Sequence, residues 1–321
     1  MIKTNVLELA DEIINGRRLG RDDDNDFFFH ADLNDLCSGA DKIRSALCGD
    51  KFNLCTIING KSGRCSENCK FCAQSCRHST GINEYDFLSE NDILENCKEV
   101  AAQGVHRFSI VTAGRTLSSS DFEKAVSVYK KLHSQCKIEL CGSHGLLTYE
   151  QLLRLKEAGV KNYHANIETS RRNFPNICTT HTYDDKINCI KNAQKAGLNV
   201  CSGGIIGMGE TWNDRLDMAL SLAELNIDSI PINVLTPIKG TPLDGLELLS
   251  EEDVLRTAAM FRYINPNAFI RFAAGRNRME NSGKNAFLSG VNAALTGDML
   301  TTSGNKIKDD KKMLLDMGFI I

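Results

Sequence analysis

Three features of this sequence predict an α/β fold, a (β/α)8 TIM-type barrel with an N-terminal helical extension. From about residue 51, short apolar strand-like segments alternate with longer amphipathic ones, the pattern of parallel strands joined by helices. Eight such repeats fit within about 250 residues, the usual extent of a closed barrel. No stretch rich in Pro, Gly or Ser divides the chain, which has 5 Pro in 321 residues, so the repeats belong to one unit. A doubly wound open sheet is the competing topology.

Residues 1–48 read as the N-terminal helical extension, because Val6, Leu7, Leu9, Ile13 and Ile14 recur at helical spacing. The acidic run Asp22, Asp23, Asp24 and Asp26 interrupts that pattern. The barrel is expected over 49–305. Its strands are predicted at 53–59, 107–112, 137–141, 162–168, 199–205, 229–235 and 268–272, with a weak eighth at 291–295. Helices are predicted near 89–103, 119–134, 148–158, 184–196, 212–224, 250–263 and 280–288, and a helical tail over 306–321. Sites in such a barrel gather at the C-terminal ends of the strands.

Composition narrows the class of partner. A hydrophobic content of 42% with 25% charged residues is that of a globular protein, which excludes disorder and fibrous repeats. The net charge of -3, from 38 Lys+Arg against 41 Asp+Glu, offers no field to attract nucleic acid or an anionic membrane, so a small-molecule partner is expected. No apolar run approaches the ~20 residues that span a bilayer, and acids stand near the N-terminus where a signal peptide would be apolar. A cytoplasmic location is expected. In that reducing compartment the 13 Cys are not a disulfide framework, and metal ligation or catalysis has to account for some of them.

Cys65-Ser-Glu-Asn-Cys69-Lys-Phe-Cys72 is a CxxxCxxC in the loop after the first strand. A structural zinc site usually draws four ligands from paired elements, and no partner pair accompanies this motif. Three Cys on a 4Fe-4S cluster leave one iron without a protein ligand, free for a substrate or cofactor. The motif, with Phe71 before its last Cys, resembles that of the radical S-adenosylmethionine (SAM) superfamily. Further segments are similar to the biotin synthase family: residues 56–75 (TIINGKSGRCSENCKFCAQS), 163–170 (YHANIETS), 201–211 (CSGGIIGMGET), 231–243 (PINVLTPIKGTPL) and 271–276 (RFAAGR).

The resemblance implies that Cys65, Cys69 and Cys72 hold a 4Fe-4S cluster whose open iron chelates SAM, and that no residue acts as an acid or base because the radical chemistry belongs to the cofactor. It implies that the amides of Asn166 and Asn233 meet the ureido ring of dethiobiotin, for which a group that both donates and accepts is suited. Glu168 stands where the family more often has Asp, near the SAM ribose, and His164 replaces a family Asn. Gly203, Ile205, Gly207 and Glu210 match the segment along the adenine, and His181 aligns with a position contacting the SAM carboxylate. The familiar form carries a 2Fe-2S cluster on three Cys and one Arg, at positions occupied here by Ser109, Cys141, Cys201 and Arg271. Ser109 is a poor iron ligand beside thiolates. Cys55 offers compensation, so that Cys55, Cys141, Cys201 and Arg271 would hold an auxiliary cluster of four irons rather than 2Fe-2S, as in the variant form of anaerobes.

Dethiobiotin as substrate, a flavodoxin or ferredoxin as electron donor and a homodimer follow from the same resemblance. Without it, these residues read as strand-end amides bonded to loop backbone, a tight turn opening a helix, a structural histidine and small buried thiols. Cys37, Cys48, Cys97, Cys136, Cys178 and Cys189 show no ligand pattern and are expected to fill the core. The alternatives are a related radical SAM enzyme of the hydrogenase-maturation or methylornithine synthase type, and a non-catalytic metal-binding or electron-transfer protein.

Overall fold

Nine strands run parallel around a closed ring in the computed structural model, which describes residues 5–302 and 304–321. Residues 1–4 of the expected N-terminal extension and residue 303 of the expected barrel segment lie outside the described residues. The strands are β1 (Asn53–Lys61), β2 (Arg107–Thr112), β3 (Glu139–Ser143), β4 (Val160–His164), β5 (Asn199–Cys201), β6 (Gly204–Ile206), β7 (Ser229–Val234), β8 (Phe269–Phe272) and β9 (Ala293–Leu295). β5 pairs with β4 and reaches β7 at Cys201 and Ser229, while β6 continues the pairing to β7. The two are halves of one stave. β9 returns to pair with β1, so eight staves close the barrel and the open doubly wound sheet is excluded.

The N-terminal extension forms α1 (Val6–Ile14), α2 (Phe27–His30) and α3 (Leu33–Cys48). The helices that follow are α4 (Glu90–Ala102), α5 (Ser119–Gln135), α6 (Tyr149–Glu157), the single turn α7 (Phe174–Ile177), α8 (Tyr183–Lys195), α9 (Trp212–Glu224), α10 (Glu251–Ile264), α11 (Lys284–Phe287) and α12 (Ile307–Asp316). The major barrel helices start on a hydroxyl cap. Ser89, Ser118, Thr148, Thr182, Thr211 and Ser250 each accept a hydrogen bond from a backbone N–H of the first turn, and Gln151, Asp185 and Asp214 close reciprocal capping boxes. α1 packs on α3, and α3 on α10. Tyr263 Oη donates to Val6 O at 2.8 Å, locking the extension to the barrel wall.

Several elements differ from expectation. The strand expected at 137–141 runs from Glu139 to Ser143. The one expected at 162–168 ends at His164, because Glu168 adopts φ +68° and meets its neighbour only in an isolated bridge to Gly204. The strand expected at 199–205 breaks between Cys201 and Gly204. There Gly203 and Gly204 are sterically required: a Cβ would lie 2.0 Å from Pro231 O at the first and 2.4 Å from Glu168 O at the second. The helix expected at 280–288 is instead a 3-10 turn, Glu280–Gly283, followed by α11. Asn281, Ser282 and Gly283 have φ of +47°, +56° and +78°, which a right-handed helix cannot accommodate.

Candidate functional site

The cysteine loop after β1 is held by its own backbone. Cys65 N donates to Gln74 O at 3.0 Å, Cys76 N to Cys65 O at 2.8 Å and Cys72 N to Cys69 O at 3.0 Å. A second set of bonds ties it to the segment before α8. Thr179 N and Thr180 N donate to Asn68 Oδ1 at 3.0 and 3.3 Å, Asn68 Nδ2 to Thr179 Oγ1 at 2.7 Å, and Thr180 Oγ1 to Glu67 Oε2 at 2.8 Å. Glu67 also grips His181 Nδ1.

Among the described residues, the sulfurs of Cys65, Cys69 and Cys72 do not gather within 4.8 Å of one another. A single tetrahedral ion needs its ligand atoms that close, whereas the corners of a four-iron cube hold them further apart. The spacing suits a cluster and disfavours one zinc ion. Burial pushes the Cys65 thiol up and Cys72 to about 11, so metal binding there must displace protons. His181 Nε2 is buried with no protein partner, an orphaned donor or acceptor beside the cysteine loop. The hydrogen bond from Cys69, followed by those with His181 and Thr180, holds the Cys178 thiol down at about 3.

Asn166, Glu168 and Asn233 converge on the break between β5 and β6. Gly203 N donates to Asn166 Oδ1 at 3.0 Å, Asn233 Nδ2 donates to Gly204 O at 3.0 Å, and Ala274 N donates to Asn233 Oδ1 at 3.1 Å. Both amides therefore serve loop backbone, the plainer of the two readings. Each keeps an uncommitted N–H and a second oxygen lone pair for a guest, Asn166 also donating to Glu168 Oε2 at 3.3 Å. Gly207 N and Met208 N donate to Glu210, which pins the turn after β6. Ile205 and Phe71 pack with Ile177, Met208, Leu235 and Leu243 in an apolar group at this end.

Inside the barrel, register sets Cys55 beside Arg107, Ser109 beside Cys141, His164 beside Cys201, and Arg271 beside Ala293. The neighbouring Cys141, then the charges of Arg271 and Arg107, bring the Cys55 thiol down to about 6, against burial. Burial opposes ionisation of Cys201, but His164 and Arg271 outweigh it and the net shift is downward. Arg271 is itself fixed by Asn53, donating to its O at 3.2 Å and its Oδ1 at 2.7 Å, and by Ala294 O at 3.1 Å. Three thiols from separate staves thus share one electropositive interior. A cavity of about 390 Å³ opens beside the end of β1, lined by Asn59, Tyr85, Met299, Thr301 and Thr302, and Met299 also packs on the small apolar group around Cys55.

Three residues escaped the sequence reading. Glu67 lies within the cysteine motif and orients His181. Lys186 Nζ lies 3.4 Å from Glu168 Oε1, and the Glu168 charge raises it despite burial. Its signal was a lysine three residues from each of Tyr183 and Cys189 on the buried face of α8. Cys178 is buried as expected, but against Cys69.

Comparison with known proteins places this geometry. The radical SAM superfamily model matches residues 61–222, and that of the biotin and thiamin synthesis associated domain matches 231–320. Biotin synthases of Alkaliphilus metalliredigens and Clostridium beijerinckii are each 64% identical over 314 residues, covering 98% of this chain and 99% of the relative. The solved methylornithine synthase superposes with a TM-score of 0.85 at 22% identity, over 97% of this chain and 96% of that one. The [FeFe]-hydrogenase maturase HydG gives 0.81 at 16%, over 99% and 76%. At those identities the two structures establish the fold alone.

Proposed function

The chain belongs to the biotin synthase family of radical SAM enzymes, and from that membership we propose which residues carry the conversion of dethiobiotin to biotin. The reaction inserts sulfur at two unactivated C–H bonds, beyond the reach of acid–base groups at neutral pH. When bound, a 4Fe-4S cluster and SAM supply the 5′-deoxyadenosyl radical that removes those hydrogens.

Cys65, Cys69 and Cys72 hold the cluster and leave one iron for SAM, a reading supported by their spread over one fixed loop. His181, its Nδ1 held by Glu67, presents its orphaned Nε2 to the SAM carboxylate. Glu168, steadied by Lys186, takes the ribose hydroxyls. Gly203, Ile205 and Gly207 lie along the adenine, with Glu210 fixing the turn and the apolar group at Phe71 forming the wall. Asn166 and Asn233 use their free amide positions on the ureido ring.

Cys55, Cys141, Cys201 and Arg271 hold an auxiliary cluster of four-iron type that donates the sulfur. The observation that carries this is the burial of Cys55 on β1 and Cys141 on β3, with the strand between them offering Ser109 at the position of the missing thiol and Arg271 charged nearby. A flavodoxin or ferredoxin delivers the electrons, and the enzyme works as a cytoplasmic homodimer. Among the described residues, no helix is long and apolar enough to cross a membrane. Iron and sulfide analysis after anaerobic reconstitution tests the auxiliary site. Cys55→Ser, Cys141→Ser and Cys201→Ser should each lose the same share of iron while still cleaving SAM to 5′-deoxyadenosine; unchanged iron in any of them removes that residue from the site.

A further inference from the structure

The sulfur of Cys178 lies 3.7 Å from that of Cys69 and 3.3 Å from His181 Nδ1. The ligand atoms of all three lie within 4.8 Å of one another. Tetrahedral coordination demands such separations. With metal–sulfur bonds of about 2.3 Å and metal–nitrogen bonds of about 2.0 Å, the sulfur–sulfur edge is about 3.8 Å and the sulfur–nitrogen edge about 3.5 Å. Two thiolates and an imidazole are also the donors that zinc, iron(II) and cobalt(II) select.

The site is built into the fold. Cys178 is 4% exposed and His181 7%. Asn68 Oδ1 accepts from Cys178 Sγ at 3.3 Å as well as from the Thr179 and Thr180 amides, so the loop that supplies Cys69 is stitched to the one that supplies the other two ligands. Glu67 holds His181 Nδ1 until a metal takes that nitrogen, and the Phe174 ring stands 5.6 Å from the imidazole at 68°. The three ligand atoms are gathered without metal.

We propose that, before the iron–sulfur cluster is installed, Cys69, Cys178 and His181 bind one divalent thiophilic metal ion, with Glu67 beside the fourth coordination position. Binding displaces to solvent the proton that Cys69 donates to Cys178 and the proton shared between His181 Nδ1 and Glu67. Cys69 belongs to both ligand sets, so the single ion and the cluster exclude one another. Iron(II) there occupies a position that already shares one cluster ligand, and zinc there obstructs assembly. This exclusion rests on the assignment of Cys69 to the cluster, whereas the ion site itself does not.

The test is an anaerobic titration of the cluster-free full chain with cobalt(II) chloride. One equivalent should produce thiolate-to-cobalt charge transfer in the near ultraviolet and the intense visible bands of tetrahedral cobalt. The difference spectrum between the wild-type chain and Cys178→Ser isolates this site from the barrel thiols. Cobalt affinity should fall at least tenfold in Cys178→Ser and in His181→Gln, each checked for fold by circular dichroism, and persist in the Cys65→Ser/Cys72→Ser double variant. The proposal is overturned if tetrahedral bands are absent, or if they follow Cys65 and Cys72 and ignore both Cys178→Ser and His181→Gln. Preloading one equivalent of zinc should slow cluster reconstitution in the wild-type chain and much less in Cys178→Ser; equal slowing in both overturns the exclusion. If the Cys65→Ser/Cys72→Ser chain still builds its full cluster, the cluster assignment fails while the cobalt result stands.

Discussion

Replacing Glu210 by Ala should loosen the turn after β6 and destabilise the whole barrel. The Glu210 side chain is 1% exposed and accepts from Gly207 N at 2.8 Å, Met208 N at 2.7 Å and Arg215 Nε at 2.8 Å. Among the described residues, Arg215, 6% exposed, would keep its charge with Thr257 Oγ1 at 3.4 Å and the Trp212 ring, 4.5 Å from its guanidinium carbon. Removing one partner of a buried ion pair costs about 3–5 kcal/mol. Two loop N–H groups also lose their acceptor, each worth about 1 kcal/mol where water does not replace it. A loss of about 3–7 kcal/mol is a large part of the ~5–15 kcal/mol that holds a domain folded. Urea unfolding of the cluster-free chain, followed by circular dichroism, measures it. Adding Arg215→Met to Glu210→Ala should restore part of the loss, because the stranded charge is then gone. A loss under about 1 kcal/mol, or a double variant no more stable than the single one, refutes the reasoning.

Two further outcomes follow from buried groups. His144 is fully buried between Thr112 Oγ1 at 3.0 Å and Tyr129 Oη at 2.8 Å, and burial lowers its pKa from 6.5 to about 3. Between those values the unfolded chain takes a proton that the folded chain refuses, so this contribution is full above the unfolded pKa and lost as pH falls through the window. From pH 7 to pH 5 the wild-type chain should lose about 2 kcal/mol more than His144→Gln, read from urea midpoints; parallel losses would reject it. Gly203→Ala would place a Cβ 2.0 Å from Pro231 O, a backbone atom that cannot swing aside. It should shift the loop bearing Asn166's partner and raise the KM for SAM at least tenfold with the iron content retained, and an unchanged KM would contradict the proposed place of SAM along this loop.

Local pattern made much of the barrel legible. The strand expected at 107–112 and the helix expected at 212–224 match the structure residue for residue, since amphipathic period and hydroxyl caps are properties of the segment itself. The strand break at Ser202 and Gly203 was hidden, because it depends on Pro231 and Glu168 arriving from other staves. The left-handed turn at Asn281, Ser282 and Gly283 was signalled by its composition but outweighed by the apolar spacing around it. In the site, the three Cys of one loop announce themselves by spacing. Cys178 does not, because its neighbour Cys69 is more than a hundred residues away in the chain and only the packing of two loops joins them. Lys186 was concealed for the same reason, its carboxylate partner lying on the preceding loop.

The most direct test of the account is an anaerobic single-turnover assay of the reconstituted chain with SAM, a strong reductant and dethiobiotin, quantifying 5′-deoxyadenosine and biotin by mass spectrometry. The account predicts biotin, with two molecules of 5′-deoxyadenosine for each, and loss of both products in a Cys65→Ser/Cys69→Ser/Cys72→Ser chain. Formation of 5′-deoxyadenosine without any thioether product would contradict the sulfur-inserting function and leave only the radical step standing.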